Sequence, residues 1–209
     1  MSDIKIFVTH TPNCDTMNIN NALFYNVIAG SDFQTKKVPE GVYQDNQGEN
    51  ISSLNKSFCE LTTQYWAWKN MQADYYGFCH YRRFFSFSEN AIKETSWGTI
   101  EYDYLDQKAI AELSLNEKNM QAYIEKYDFL IAKGIDTSSM NAKNVYDHYK
   151  KAPELHIEDA ELFLKIIDEK YPYLSEIARE LFAGHTFYPC NMFIAKKEVF
   201  EDYSKILFD

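Results

Sequence analysis

The chain has 209 residues, with 21 Lys and Arg against 31 Asp and Glu, and its net charge of −10 argues against a general nucleic-acid binder. With 45% hydrophobic and 25% charged residues it has the balance of a globular chain with one well-buried core, not of a disordered one. The acidic total leaves room for a phosphorylated small ligand, because a few arginines in a cleft can hold one diphosphate.

Ile4-Lys5-Ile6-Phe7-Val8 reads as a first buried strand running into the polar loop Thr9 to Asn13. Residues 34 to 56 are polar and turn-rich. Ser57 to Glu60 has capping-box spacing, so a helix is expected from Ser57, with Phe58, Leu61, Tyr65 and Trp68 as its core-facing stripe. Asp74 to His80 is compact and aromatic, an inner strand. Glu89 to Leu115 reads as a long insertion with one short helix. A helix through Met120, Tyr123 and Ile124 follows, then a strand over Tyr127 to Ala132. Asp159 to Glu169 and Pro172 to Ala183 are helices, the second with a stripe of Leu174, Ile177, Ala178, Leu181 and Phe182 and with Gly184 as its C-cap. Asn191 to Ala195 is a late strand, and Lys197 to Phe208 a final helix within which the chain stops. Helix alternating with strand predicts an α/β fold, one domain over 1–209 cut short at its C-terminus.

The cysteines at 14, 59, 79 and 190 form no Cys-x-x-Cys pair and no zinc spacing, which fits a reduced, cytoplasmic setting. Cys59 and Cys79 read as small buried hydrophobes. No signal peptide is evident and no apolar run reaches membrane-spanning length, so membrane association would be peripheral, at the inner face.

The absence of a Gly-rich phosphate loop and of Gly-x-Ser-x-Gly disfavours P-loop NTPases, dinucleotide-binding dehydrogenases and serine hydrolases. The cationic run His80-Tyr81-Arg82-Arg83 stands out. At the end of a buried strand it either meets an anion or joins a structural ion-pair network, and residue types alone leave these even. Strand alternation would place His80 and Arg82 on one face and Tyr81 and Arg83 on the other. Glu60 suits a helix start, with one of the arginines as its alternative partner. Of Trp66 and Trp68, one faces the core and the other is free to stack on a base or sugar. Asp159, after His156 and Glu158, reads as a helix-start residue whose functional alternative is a general base, and Asp147-His148 is a rival pair. His148, His156 and His185 have no metal-site spacing.

Ile4–His10, Asn50 to Asn70 with Cys59-Glu60-Leu61-Thr62 and Tyr65-Trp66-Ala67-Trp68-Lys69, Asp74–Phe85 with His80-Tyr81-Arg82-Arg83-Phe84, and Asn191-Met192-Phe193-Ile194 together resemble a bacterial family. It is a domain family of formerly unknown function from capsule, exopolysaccharide and O-antigen gene clusters. It is now grouped with GT-A-fold glycosyltransferases and includes galactofuranosyltransferases. The resemblance implies a GT-A-like α/β fold, a mostly parallel central sheet flanked by helices.

It also implies a nucleotide-sugar donor, a UDP-sugar foremost, and an oligo- or polysaccharide acceptor, lipid-linked ones included. Other glycosyltransferase domains are implied as partners. On this reading Thr9 and His10 lie at the nucleotide end, and Arg82, Arg83 and His80 hold the leaving diphosphate. Glu60 and Trp68 line the donor side, Asp159 is the base, and His156, Asp147 and His185 belong to the acceptor side. Most GT-A enzymes bind Mg²⁺ or Mn²⁺ through Asp-x-Asp at a strand end. Here the strand ends in His-Tyr-Arg-Arg, so metal dependence is open, with Glu101-Tyr102-Asp103 as a displaced motif or a solvated loop. The alternative function is a non-catalytic saccharide- or nucleotide-sugar-binding module of a polysaccharide assembly complex.

Overall fold

A computed structural model describes residues 1–15, 19, 21–95 and 98–209, so positions 96 and 97 of the expected insertion lie outside the described residues. In chain order the elements are β1 (Ile4–His10), β2 (Phe24–Ile28), β3 (Tyr43–Gln44), α1 (Asn55–Phe58), α2 (Leu61–Asn70), β4 (Tyr75–His80), α3 (Gln107–Glu112) and α4 (Glu117–Ile124). They continue with β5 (Phe129–Ile131), β6 (Ile135–Asp136), α5 (Val145–Lys151), α6 (Ile157–Lys170), α7 (Ser175–Ala183), β7 (Thr186–Phe187), β8 (Phe193–Lys196) and α8 (Lys197–Leu207). The chain divides into two compact units, the first made of residues 1–91, 102–132 and 191–209, the second of 92–101 and 133–190.

The first unit holds a six-stranded sheet in the order β3-β2-β1-β4-β8-β5. β1 pairs in parallel with β2 and β4, and β2 with β3, while β8 runs antiparallel to β4 and β5. The sheet is therefore mostly parallel, as expected. Its central strands are continuous apolar runs because both faces are covered. On one face Phe7, Tyr76, Phe78 and Phe193 pack against Trp66 and Ala67 of α2 and Phe200 of α8. Phe7 and Phe78 stack at 5.4 Å and Tyr76 and Phe200 at 4.6 Å between ring centroids. Alternation turns Ile4, Ile6 and Val8 to the opposite face, where Phe24 meets Phe84 edge-on and Asn21 donates to the Leu115 carbonyl. Gly77 sits between Ile6 and Ile194, and a Cβ there would lie 2.9 Å from Ile6, so only glycine lets these strands close.

The short strands β2, β3, β6 and β7 and the helix α5 escaped the sequence pattern, and the start of α2 was misplaced. β2 is a short apolar run, Phe24 to Ile28, in a stretch that periodicity leaves unassigned. The capping box at Ser57 does not form. The backbone makes one short helix, breaks at Cys59 (φ 48°, ψ −127°) and restarts at Leu61. Asn55 Nδ2 donates to the Cys59 carbonyl at 2.7 Å, and Thr62 Oγ1 donates to the same carbonyl at 3.0 Å. The buried residues of α2 are Thr62, Thr63, Gln64, Trp66 and Ala67 rather than the Phe58-Leu61-Tyr65-Trp68 stripe, which is only half-buried. Cys59 is exposed, not a buried hydrophobe, whereas Cys79 is buried and its thiol pKa is pushed far up by that burial.

A non-glycine residue at this dihedral pair is strained by about 1–3 kcal/mol. Cys59→Gly should therefore raise unfolding stability by about 1 kcal/mol, after glycine's larger unfolded-state entropy is subtracted. Urea denaturation measures this, and an unchanged or lower midpoint would show that the break is unstrained.

Nearby, the fully buried Asp45 organises the loops after β2 and β3. Its carboxylate accepts from the Gly30 and Ser31 N–H groups at 2.7 and 2.9 Å and from Ser52 Oγ at 2.6 Å. Gly30 is left-handed (φ 69°), and a Cβ there would run into Asn55.

The second unit joins the antiparallel pair β6-β7 to α5, α6 and α7, with Val145, Ala160 and Ile167 buried. Phe163 and Tyr146 both meet Phe182, and Arg179 forks onto Asp168. Asn144 caps α5 by accepting from the Asp147 N–H. The helices over α6 and α7 fall where the sequence places them. Gly184 does follow α7, but with φ −73° and ψ 172° it is extended rather than left-handed. The expected stripe of α7 is only partly covered: Ile177 and Leu181 are exposed.

Candidate functional site

The carboxyl ends of β1 and β4 lie side by side, with Thr9 paired to His80, at the edge where open α/β sheets bind ligands. Helix α2 starts at this edge, because Glu60, at its N-cap position, lies with Oε1 3.8 Å from His80 Nε2. The partner of Glu60 is thus His80, not an arginine. His80 Nε2 also lies 3.2 Å from Asn191 Oδ1. Both neighbours are acceptors, which makes Nε2 the protonated ring nitrogen.

β4 ends at His80, so strand alternation does not divide the two arginines. Tyr81 and Arg82 form a tight turn, closed by the His80 N–H on the Arg83 carbonyl (3.2 Å) and the Arg83 N–H on the His80 carbonyl (3.0 Å). Nor are the arginines buried: both are exposed, and neither has a carboxylate at ion-pair distance among the described residues. The Arg82 guanidinium lies over the Tyr81 ring, 4.9 Å from its centroid. Exposed guanidinium groups without a carboxylate at ion-pair distance are free to fork onto an anion's oxygens.

His10 is at this edge and is fully enclosed. Its Nε2 lies 2.9 Å from Asn26 Oδ1 and its ring stacks on Tyr81 at 5.7 Å. Burial lowers its pKa, against the opposing pull of the Asn26 hydrogen bond, so it stays neutral at a pH where a free imidazole takes up a proton. Thr9 is nearly buried and contributes its carbonyl, which accepts from the Tyr81 N–H at 3.0 Å.

The two tryptophans are resolved: Trp66 is core, and Trp68 is half-buried near the other end of α2. Trp68 stacks on Phe208 at 6.0 Å and carries Lys69 Nζ 3.6 Å from a ring centroid. Since α2 runs from the carboxyl edge back toward the start of β4, Trp68 does not join the group around His80.

Asp159, His156, Asp147 and His185 belong to the second unit. Asp159 stands exposed in the first turn of α6, its N–H donating to the carbonyl of the N-cap residue His156, itself exposed. Asp147 is committed locally. Its Oδ2 accepts from Lys151 Nζ at 2.7 Å and from the Lys143 N–H at 2.8 Å, and these hold its carboxyl below the usual range. His148 packs on Phe187 and the exposed His185 offers its carbonyl to the Thr137 N–H. Glu101 and Asp103 are exposed, with Tyr102 donating to Glu112 at 2.7 Å. Among the described residues no group of three or more His, Cys, Asp or Glu could hold a metal ion.

Residue reasoning overlooked Tyr81 and Asn191 as parts of this edge. Tyr81 was visible inside His-Tyr-Arg-Arg as the ring next to a guanidinium. Asn191 carries no local signal, because 111 residues separate it from His80.

No described helix is long and apolar enough to cross a membrane. No curated protein sequence matches the chain. A solved structure titled as the apo form of the WbbM bifunctional glycosyltransferase superposes with a TM-score of 0.92 at 34% identity. That match covers 99% of this chain but 36% of the WbbM chain, so the sequence spans little more than a third of that protein. A family profile described as a domain of unknown function (DUF4422) matches residues 5–209, and the chain belongs to that family.

Proposed function

We propose that the chain is a GT-A-like glycosyltransferase domain that moves a sugar from a nucleotide-diphosphate donor to a saccharide acceptor. The donor is a UDP-sugar, with galactofuranose the first sugar to test. The acceptor is an oligo- or polysaccharide, lipid-linked or free, in capsule, exopolysaccharide or O-antigen synthesis in the cytoplasm or at the inner membrane face. The observation that carries this reading is the pair of exposed guanidiniums of Arg82 and Arg83, unpaired among the described residues, at the carboxyl edge of β4. The similarity to WbbM over nearly the whole chain supports it.

Arg82, with Arg83, would take the charge of the departing diphosphate, a role that a divalent metal fills where carboxylates hold one. His80 would stand beside the departing diphosphate, with its Nε2 turned to Glu60 and Asn191. Asp159 pairs with no cation among the described residues, and we assign it as the general base for the acceptor hydroxyl, with His156 and His185 as acceptor-side residues.

A thermal-shift series with UDP and UDP-sugars, UDP-galactofuranose included, tests donor binding. A ligand at a hundredfold excess over its Kd stabilises by about 2.7 kcal/mol, which for a chain of this size raises Tm by roughly 5–10 °C. Release of UDP from the same sugars tests chemistry: binding without release would make the chain a binding module. No shift with any nucleotide would overturn the reading. The strand end carries one carboxylate, Glu60, where an Asp-x-Asp motif would offer two, too few to hold a divalent ion without further ligands. EDTA should therefore leave turnover within about twofold, and complete loss restored by Mn²⁺ would refute the arginine-only account.

A further inference from the structure

Tyr81 links the exposed Arg82 to the interior of the sheet. Its N–H is held by the Thr9 carbonyl at 3.0 Å, which ties the turn to the end of β1. Its ring stacks on His10 at 5.7 Å, with 29° between the planes. His10 in turn is tied to Asn26 on β2. The Arg82 guanidinium lies 4.9 Å from the same ring. His10 is wholly enclosed and Arg82 exposed, so the Tyr81 ring joins a buried neighbour to a surface one. An arginine with no carboxylate to hold it samples many rotamers, and the face of an anchored aromatic ring restricts them. The inner neighbour must also be uncharged, because an imidazolium there would compete with Arg82 for the ring, and enclosure keeps His10 neutral.

We infer that Tyr81 is a positioning residue: it pre-sets the Arg82 guanidinium for an incoming diphosphate, through a stack of His10, Tyr81 and Arg82 running from the core to the sheet edge. Holding the side chain before the ligand arrives removes an ordering cost from binding. The diphosphate part rests on the function proposed above, whereas the stack itself does not.

The test has two arms. In the ligand-free protein, ring current from Tyr81 should shift the Arg82 side-chain Nε–H resonance away from that of Arg83. The shift should persist in Tyr81→Phe and vanish in Tyr81→Leu, or in Tyr81→Met should the leucine variant fail to fold. A shift insensitive to these changes overturns the inference whatever the ligand is. In the second arm UDP binding is measured by calorimetry. Tyr81→Leu should weaken it about fivefold in the wild-type background and less than twofold in Arg82→Ala, with Tyr81→Phe within twofold of wild type. Equal weakening in both backgrounds overturns the positioning role alone. If Arg82→Ala binds UDP normally, the diphosphate reading falls and the positioning role toward it falls as well, while the resonance arm still reports on the stack.

Discussion

Arg82→Ala is expected to cut sugar transfer by a factor of about a hundred or more while leaving Tm within roughly 2 °C of wild type. The two halves have separate physical origins. The guanidinium is exposed, has no carboxylate partner among the described residues and touches Tyr81 alone among the aromatic rings, so little folding energy depends on it. A cation aimed at a departing diphosphate acts where charge develops, and losing one such donor removes transition-state stabilisation of that size. Arg82→Lys should recover only part of the loss, since an ammonium lacks the planar fork and the ring-stacking face. Arg83→Ala should show the smaller defect, because no aromatic ring among the described residues lies under the Arg83 guanidinium. UDP release by purified variants measures all three, with unfolding followed in parallel. An Arg82→Ala protein that unfolds, or one that turns over normally, removes Arg82 from the site.

Asp45→Ala is expected to be the most damaging polar substitution in the fold, at about 3 kcal/mol or more. The carboxylate is fully buried and accepts from two backbone N–H groups and the Ser52 hydroxyl. Each bond to a charged acceptor contributes about 1.5–3 kcal/mol, and the alanine would leave all three donors without it. In a chain of this size that lowers Tm by roughly 6–12 °C. Asp45→Asn should fall between, because an amide keeps one accepting oxygen. Calorimetry checks the order, and an Asp45→Ala protein as stable as wild type would mean that water fully replaces the carboxylate.

Much of the fold was legible because its signals are local. β1 and β4 are apolar runs of strand length between polar breaks, α6 extends a predicted helix by a residue or two at each end, and α8 lies within one. β2 was missed because a five-residue buried strand has no period to detect. The Ser57 capping box failed because Asn55 and Thr62 hold Cys59 in a break that no propensity scale anticipates. Which face of α2 meets the sheet was decided by packing, and it is Trp66, not Trp68, that enters the core.

The site follows the same division. The cationic run His80 to Arg83 at the end of a central strand was legible in the sequence and stayed the centre of the reading. Its environment was not. Arg82 and Arg83 are exposed because β4 ends at His80, where a turn closed by two backbone bonds takes over. Glu60 faces His80 because α2 runs back to the carboxyl edge of the sheet. His10 is sealed off because Asn26 and Tyr81 close around it.

By itself, then, the sequence determined the α/β class and the order of most elements. It also located the charge that could meet an anion, since all of these depend on neighbouring residues along the chain. The tertiary structure alone decided which of those charges are unpaired and which rings hold them. Contacts such as His80 with Asn191, 111 residues apart, depend on sheet order and register, which no local pattern encodes.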